Sequence, residues 1–446
     1  MSASQLAELN WAQKAWLIGP HDGIADLPWR HRCHMRVALR KKVDIAQVKA
    51  SFERVIAHFP MLRAQAVHNA DGDVALRISP TASAGNILVT EIAGDDTGEV
   101  PQAVMDIMRE EGRPNIGVVL FQNSTGTTLA IEAAHFFLDG ESLATTVSYA
   151  LRFLEGKEAP WDEEGDEDDT HRAILRYERS AAALRTSQRN IARLCAMGEK
   201  AVGLGNAGPY LLHSESSIGG AGSRSLGRAC GALAATAGAP MPGVLLSLFL
   251  IARSALLDEH HTWLAVCSAN RLTPDERRYV GLQTRHGALL ADLGSGSETF
   301  AELVRRMTGA LTDAVLNSRH DPDELLRAYR ASGIPENPPC FFNFIDGRPL
   351  GSELEVDELA GVEEMQVPWV SAPSGRFALE LNCFSTSGFV GTSVEHDPKI
   401  YPRDRMTELL STLHNLAERA AHFGPEVTVG RLLEQAEAGT ERDQPG

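Results

Sequence analysis

The chain has 446 residues, a formal net charge of −17, and hydrophobic and charged fractions of 43% and 23%, ordinary for a soluble globular protein. That length is enough to bury two substantial cores, and the acidic balance, with no long basic stripe, excludes nucleic acid as the expected partner. Six scattered cysteines (Cys33, Cys195, Cys230, Cys267, Cys340 and Cys383) form no C-x-x-C pair, so neither a metal site nor a disulfide framework is expected. The N-terminal segment lacks a basic stretch followed by an apolar one, and no apolar run reaches the length of a membrane span. The expectation is a cytoplasmic, unexported monomer without a membrane partner.

Met35, Val37 and Leu39 alternate and predict a strand. Asp44 then caps a helix whose Ile45, Val48, Phe52, Val55, Ile56 and Phe59 share a face, and Pro60 ends it. Val74, Leu76 and Ile78 predict another strand. Residues 117–121 and 128–134 flank a turn-like stretch at 123–126 and read as a hairpin. In its second strand Leu129, Ile131 and Ala133 alternate, and His135 falls in the same phase, so it is expected to face the interior. From Glu141 the period turns helical, through Leu143, Val147, Leu151 and Leu154. The acidic stretch at 158–169 reads as a solvated loop and a domain boundary. A helix is expected over 172–203, followed by a Gly/Ser/Ala-rich tract, 203–238, that reads as a long loop.

The second half resumes with an apolar helix over 244–257, a strand over 263–267 and an amphipathic helix over 300–317. A strand at 340–345 precedes a hairpin in which Phe377, Leu379, Leu381 and Cys383 alternate, 385–388 turns, and the return strand reaches Val394. The last helix places Met406, Leu409, Leu410, Leu413, Leu416 and Ala420 on one face, and residues after Glu434 read as disordered. The expected division is an N-terminal subdomain, 1–160, an acidic and Gly-rich linker region with a helix, 161–240, a C-terminal subdomain, 241–433, and a tail, 434–446. Each half mixes one sheet with several helices, so the expected class is α+β with two similar halves.

The chemistry concentrates in His135, Asp139 and Gly140, an H-x-x-x-D-G spacing just after the hairpin. It sets an imidazole at a strand end, a carboxylate that can brace the loop, and a glycine that can turn into the next helix. A neutral imidazole near pH 7 suits the removal of a proton from an attacking amine or hydroxyl. The competing reading is a core histidine capping a strand. No Ser-His-Asp or Cys-His set stands at a recognisable elbow, so a covalent acyl-enzyme is not expected. The stretch 138–143 imitates the serine site of a carrier protein, but a hairpin precedes Ser142 where a carrier needs a helical bundle. His260 and His261 read as a loop pair, and His286 and His320 as surface or tunnel positions.

In order along the chain these residues resemble the condensation domains of nonribosomal peptide synthetases, within the chloramphenicol-acetyltransferase-like acyltransferase superfamily. Ala12, Gln13 and Trp16 are similar to an opening A-Q-x-x-W element, and Leu62 and Arg63 to H-x-x-L-R, with Phe59 where the histidine is usual. His135, Asp139 and Gly140 match the active-site motif; Asn270, Arg271 and Gly281 resemble an N-R…G stretch. His320, Asp321 and Pro322 sit where Q-D-x-P is usual, and Phe342 and Asn343 lie on the expected late strand. The chain departs at Ala134, where the first of two histidines is usual, and after Gly281, where Leu282, Gln283, Thr284, Arg285 and His286 replace F-V-N-T. The acidic insert is a further departure. Ala134 also lacks the carboxylate of cyclisation domains, and restoring a histidine there is expected to matter little.

The resemblance implies two chloramphenicol-acetyltransferase-like subdomains in a V-shaped pseudo-dimer with a tunnel between them. It further implies His135 as the catalytic residue, Asp139 as a brace paired with Arg271, room for a thioester arm at Gly140, and a tunnel lined by Asn343 and His286. No bound cofactor is implied; the donor would be an acyl or aminoacyl thioester on the phosphopantetheine of a carrier protein acting in trans, or on CoA. The acceptor would be a small amine or alcohol, or a second carrier, and the product an amide or ester. A free-standing condensation enzyme of natural product biosynthesis is the expectation. A CoA-dependent acyltransferase and an inactive carrier-docking scaffold are the alternatives.

Overall fold

The computed structural model describes residues 5–18, 32–82, 87–92, 115–124, 126–158, 167–206, 215–347, 349–373, 377–424 and 426–440. Most of the acidic stretch expected as a boundary, 159–166, and residues 441–446 lie outside them. The first elements are β1 (Gln5–Ala7), α1 (Trp11–Leu17), β2 (Arg32–Leu39), α2 (Ile45–His58), β3 (Ala64–His68), β4 (Val74–Ile78), β5 (Ile87–Ile92), β6 (Ile116–Gln122), β7 (Thr127–Ala134) and α3 (Gly140–Leu154). There follow α4 (Glu167–Glu178), α5 (Ala181–Gly203), β8 (Glu215–Ser223), α6 (Arg224–Ala237), α7 (Met241–Leu257), β9 (His261–Ser268), α8 (Pro274–Arg278), β10 (Arg285–Asp292) and α9 (Phe300–Asn317). The chain ends with α10 (Pro322–Ser332), β11 (Cys340–Asp346), β12 (Glu355–Val356), β13 (Glu364–Pro373), β14 (Leu379–Thr386), β15 (Phe389–His396), α11 (Arg403–Phe423) and α12 (Val429–Thr440).

Three sheets result. The first half, joined by β12 of the second, builds a five-stranded sheet in the order β12-β2-β7-β6-β5 and a small one, β1-β4-β3; the second builds a seven-stranded sheet, β10-β9-β11-β14-β15-β8-β13. Helices α2 and α3 supply one face of the N-terminal core. α2 starts where the Asp44 carboxylate accepts from the Gln47 amide while the Gln47 side chain accepts from the Asp44 amide, a reciprocal cap. Its Val48, Phe52, Val55 and Ile56 are buried with Leu143, Val147 and Leu151 of α3 and with Leu129, Ile131 and Ala133 of β7. The C-terminal core gathers α6, α7, α9, α11 and α12 on the larger sheet. α7 lies at its centre, buried from Gly243 to Ser254, which accounts for a sequence apolar on every side. No single described helix is long and apolar enough to cross a membrane; α6 and α7 reach that criterion only together, across a 107° bend.

Three sequence expectations need correction. The helix expected over 172–203 is two helices, because Ser180 breaks the run and caps α5 by accepting from the Ala183 amide. The tract 203–238, expected as a long loop, is regular over 215–237, where it forms β8, an internal strand of the larger sheet, and α6; 207–214 lie outside the described residues. β8 is glycine-rich because its neighbours fill the space side chains would need. A Cβ at Gly219 would lie 2.4 Å from the Trp369 ring, at Gly220 2.5 Å from the Thr392 carbonyl oxygen, and at Gly222 2.6 Å from the Phe389 ring. The tail expected from 434 is helical to Thr440, since Val429, Leu432 and Ala436, one turn apart, are buried in the C-terminal core. One strand also crosses from the second half to the first. β12, from the second half, pairs with β2 of the first, Glu355 opposite Leu39 and Val356 opposite Ala38.

Candidate active site

The motif loop leaves the N-terminal sheet between two of its fixed points. β7 is held in register by β2 and β6 up to Ala134, whose amide donates to the Asn115 carbonyl at 2.9 Å. The chain then turns: the amides of Phe137 and Leu138 donate back to the Ala134 carbonyl at 3.0 and 3.2 Å. Phe136, Phe137 and Leu138 go into the core, while His135 is only half-buried. The strand phase that placed His135 in the interior therefore stops one residue early. Ala134, by contrast, has 0% exposure.

Asp139 is buried and fully engaged. Its carboxylate is the N-cap of α3, accepting from the Ser142 amide at 2.9 Å. It also accepts from both terminal nitrogens of Arg271, at 2.9 and 2.8 Å, and from the amides of Gln283 and Thr284, at 2.8 and 3.1 Å. Burial pushes this carboxyl up, but the Arg271 guanidinium and the amide donors outweigh it, so its pKa lies below the ordinary aspartate value. These hydrogen bonds engage both oxygens of the Asp139 carboxylate. Ser142, read above only as a false carrier site, completes the clasp: its hydroxyl meets the Gly281 carbonyl at 2.7 Å, the Gly281 amide at 2.9 Å and Arg271 at 2.7 Å.

The stretch 281–284 thus ties the second half to the first. A third tie comes from Asn10, the N-cap of α1, whose side-chain amide donates to the Leu282 carbonyl at 3.0 Å. Beside it, the Trp11 amide donates to both carboxylate oxygens of Glu178, at 2.9 and 3.1 Å, and Glu178 is ion-paired with the buried Arg285. Gly140 does not take a left-handed backbone, so the turn does not need its conformational freedom. It opens α3, and a Cβ there would meet nothing within 4 Å. The space beside it is open.

Of the other residues expected at the site, His286 lies on β10, two residues beyond the Thr284 amide that binds Asp139. Its ring meets Phe341 edge-on at 5.0 Å and Phe377 at 5.7 Å. Opposite it in the sheet is Cys267, whose thiol burial and then the nearby Asp139 charge push up to about 12. Asn343 is placed differently: its side-chain amide donates to Asn382 at 3.1 Å across the parallel pair β11 and β14. His320, read as a surface or tunnel residue, is buried; desolvation holds it at about 4, and its Nδ1 lies 2.9 Å from the Asn317 carbonyl. No group of three or more His, Cys, Asp or Glu side chains that could hold a metal occurs among the described residues. Sequence reasoning missed one contact of the motif histidine. The Trp16 indole stacks on the His135 ring, centroids 4.4 Å apart and planes 27° from parallel.

The fold these elements make is the α+β fold of condensation domains. The first condensation domain of the calcium-dependent antibiotic synthetase, in complex with a substrate analogue, superposes with a TM-score of 0.74 at 18% identity, over 96% of this chain and 99% of that one. The condensation domain of the monacolin K polyketide synthase MokA gives 0.73 at 11% identity, over 96% and 100%. The SgcC5 protein of Streptomyces globisporus, in complex with a naphthyl ethanediol and sucrose, gives 0.68 at 14% identity, over 94% and 100%. No protein-family model matches the sequence, and no curated protein sequence matches it.

Proposed function

We propose that the protein is an acyltransferase of the condensation type, moving an acyl or aminoacyl group from a phosphopantetheine thioester to an amine or hydroxyl acceptor. The observation that carries this reading is the division of labour within the motif. Asp139 is locked by Arg271 and three amides, while His135, at the mouth of the same loop, is half-buried. The acceptor nitrogen or oxygen attacks the thioester carbonyl carbon, and His135 takes or orients the proton that the nucleophile releases. The carbon–sulfur bond then breaks, and the proton returns to the departing thiolate, which leaves as a thiol. Acyl transfer of this kind needs little more than a positioned base and two substrates held in line. We place the substrates in a channel between the halves, where the 281–284 stretch meets the motif loop, with the thioester arm beside Gly140. His286, and Asn343 further along the larger sheet, would lie toward the acceptor.

The donor would be presented by an acyl or peptidyl carrier protein supplied in trans, in nonribosomal peptide or polyketide-type biosynthesis. The naphthyl ethanediol held by a protein of the same fold favours including alcohols among the acceptors. Intact-mass analysis tests this: loaded carriers, and separately acyl-CoA, are incubated with the protein and pools of amines and alcohols. Loss of the acyl mass from the carrier, with a matching gain on an acceptor, is the expected result. Turnover of CoA thioesters alone would move the reading to a CoA-dependent acyltransferase. Carrier binding without transfer to any acceptor would move it to a docking scaffold.

A further inference from the structure

The end of a strand fixes where His135 begins but not the plane of its ring. The last torsion of a histidine side chain is broad and roughly two-fold, so a half-buried imidazole needs a neighbour to set its orientation. Proton transfer tolerates little error in that orientation, on the order of 10–20°. One such neighbour is Trp16, whose indole lies along the imidazole at 4.4 Å. We propose that Trp16 is the positioning residue for His135: its ring face blocks one side of the imidazole and directs the ring edge that bears Nε2 toward the reacting groups, the Nδ1 atom being buried. The proposal rests on the acyl-transfer reading above.

Two features make Trp16 suited to this. First, α1, which carries it, is only seven residues long, yet is anchored at its start more firmly than so short a helix requires. Asn10 is fully buried and donates to the Leu282 carbonyl, the Trp11 amide is held by Glu178, and the Arg285 guanidinium lies over the Trp11 ring at 5.1 Å. Second, the stretch that holds α1 also holds the motif loop. Leu282 accepts from Asn10, while Gly281 on one side and Gln283 and Thr284 on the other bind Ser142 and Asp139. Both rings of the stack are therefore referenced to the same four residues, 281–284, and their spacing is set by that short segment. A stack arising from chance proximity needs no such common anchor. Parallel aromatic contacts of this kind also hold better than an aliphatic side chain of similar bulk.

The test compares Trp16→Leu, which keeps bulk without a flat face, with Trp16→Phe, which keeps the face. In histidine-labelled protein the imidazole protons of His135, assigned by their loss in His135→Ala, should be shifted by the indole ring current. They should move to ordinary positions in Trp16→Leu and stay shifted in Trp16→Phe. In single-turnover transfer Trp16→Leu should lower the rate roughly 2- to 12-fold with donor and acceptor half-saturation unchanged, and Trp16→Phe should recover most of it. In the His135→Ala background Trp16→Leu should cost nothing further, because a positioning residue acts only through the group it positions. An equal loss with and without His135, or a rise in half-saturation at unchanged rate, would overturn the proposal in favour of a structural or substrate-contacting role. Unshifted imidazole protons in the parent would overturn it even if Trp16→Leu does not fold. Absence of turnover in the parent overturns the acyl-transfer reading and this proposal together, whereas turnover without coupling to His135 overturns this proposal alone.

Discussion

Replacing Asp139 by alanine should destabilise the protein strongly as well as impair it. The carboxylate is buried and serves five donors: two guanidinium nitrogens and the amides of Ser142, Gln283 and Thr284. Its partner Arg271 has a side chain only 10% exposed, so water does not replace the lost acceptor. Removing one member of a buried ion pair costs about 3–5 kcal/mol, and losing a helix N-cap costs about 1 kcal/mol, partly overlapping with it. For a chain of 446 residues, with an unfolding entropy of about 2.1 cal/mol/K per residue, about 3–5 kcal/mol corresponds to a fall in melting temperature of about 3–5 °C. Asp139→Asn keeps an acceptor for the Ser142 amide and should fall about 1 kcal/mol less. The melting temperatures of parent and variants, followed from neutral to acid pH, give the sign. The folded-state pKa of Asp139 lies below its ordinary 3.8, so the stability it contributes is fully present above that value and disappears as pH falls through the lower, folded one. The gap between parent and Asp139→Asn should therefore be constant from about pH 5 upward and close only below 3.8. Melting of Asp139→Ala within a degree or two of the parent, with turnover abolished, would refute the brace and assign Asp139 a direct chemical role.

The buried His320 is held at about 4 against an ordinary 6.5, so it favours the folded state above pH 6.5 and withdraws about 3 kcal/mol as pH falls through 4; His320→Gln should flatten that limb of a pH–stability curve. Gly220→Ala would press a methyl group against the backbone carbonyl of Thr392, a fixed neighbour at 2.5 Å, and should destabilise by about 1–3 kcal/mol in urea unfolding. Ala134→His, at a position with no exposure, should lower the melting temperature by a similar overpacking effect without raising the rate of transfer.

What the sequence showed and what it hid follow one physical rule. Elements with a strong period and a cap were legible: α2 from Asp44 and its 3–4 spacing, β7 from Leu129, Ile131 and Ala133, and the β14–β15 hairpin, whose two turn residues, Ser387 and Gly388, both take left-handed angles. β8 was illegible because its information lies in the residues opposite it: its glycines make sense only beside Trp369, Thr392 and Phe389. β12 was illegible for a related reason, since two residues carry no period and its partner β2 lies more than 300 positions away. At the site, the spacing from His135 to Asp139 and the resemblance pointed to a loop braced by Arg271, and the structure brings those two charges together. The clasp through 281–284 could not be read, because it is made by backbone amides and carbonyls, which every sequence supplies alike. The Trp16 stack left a signal, an aromatic in the opening element, but nothing in its spacing says which ring it meets.

The central claim, that His135 handles the proton of an attacking nucleophile, is tested most directly by His135→Ala in single-turnover transfer from a loaded carrier. The account predicts a rate about 10²–10⁴-fold below the parent, with carrier binding and melting temperature preserved. A rate within a few-fold of the parent would contradict it and leave positioning of the two substrates as the whole source of catalysis.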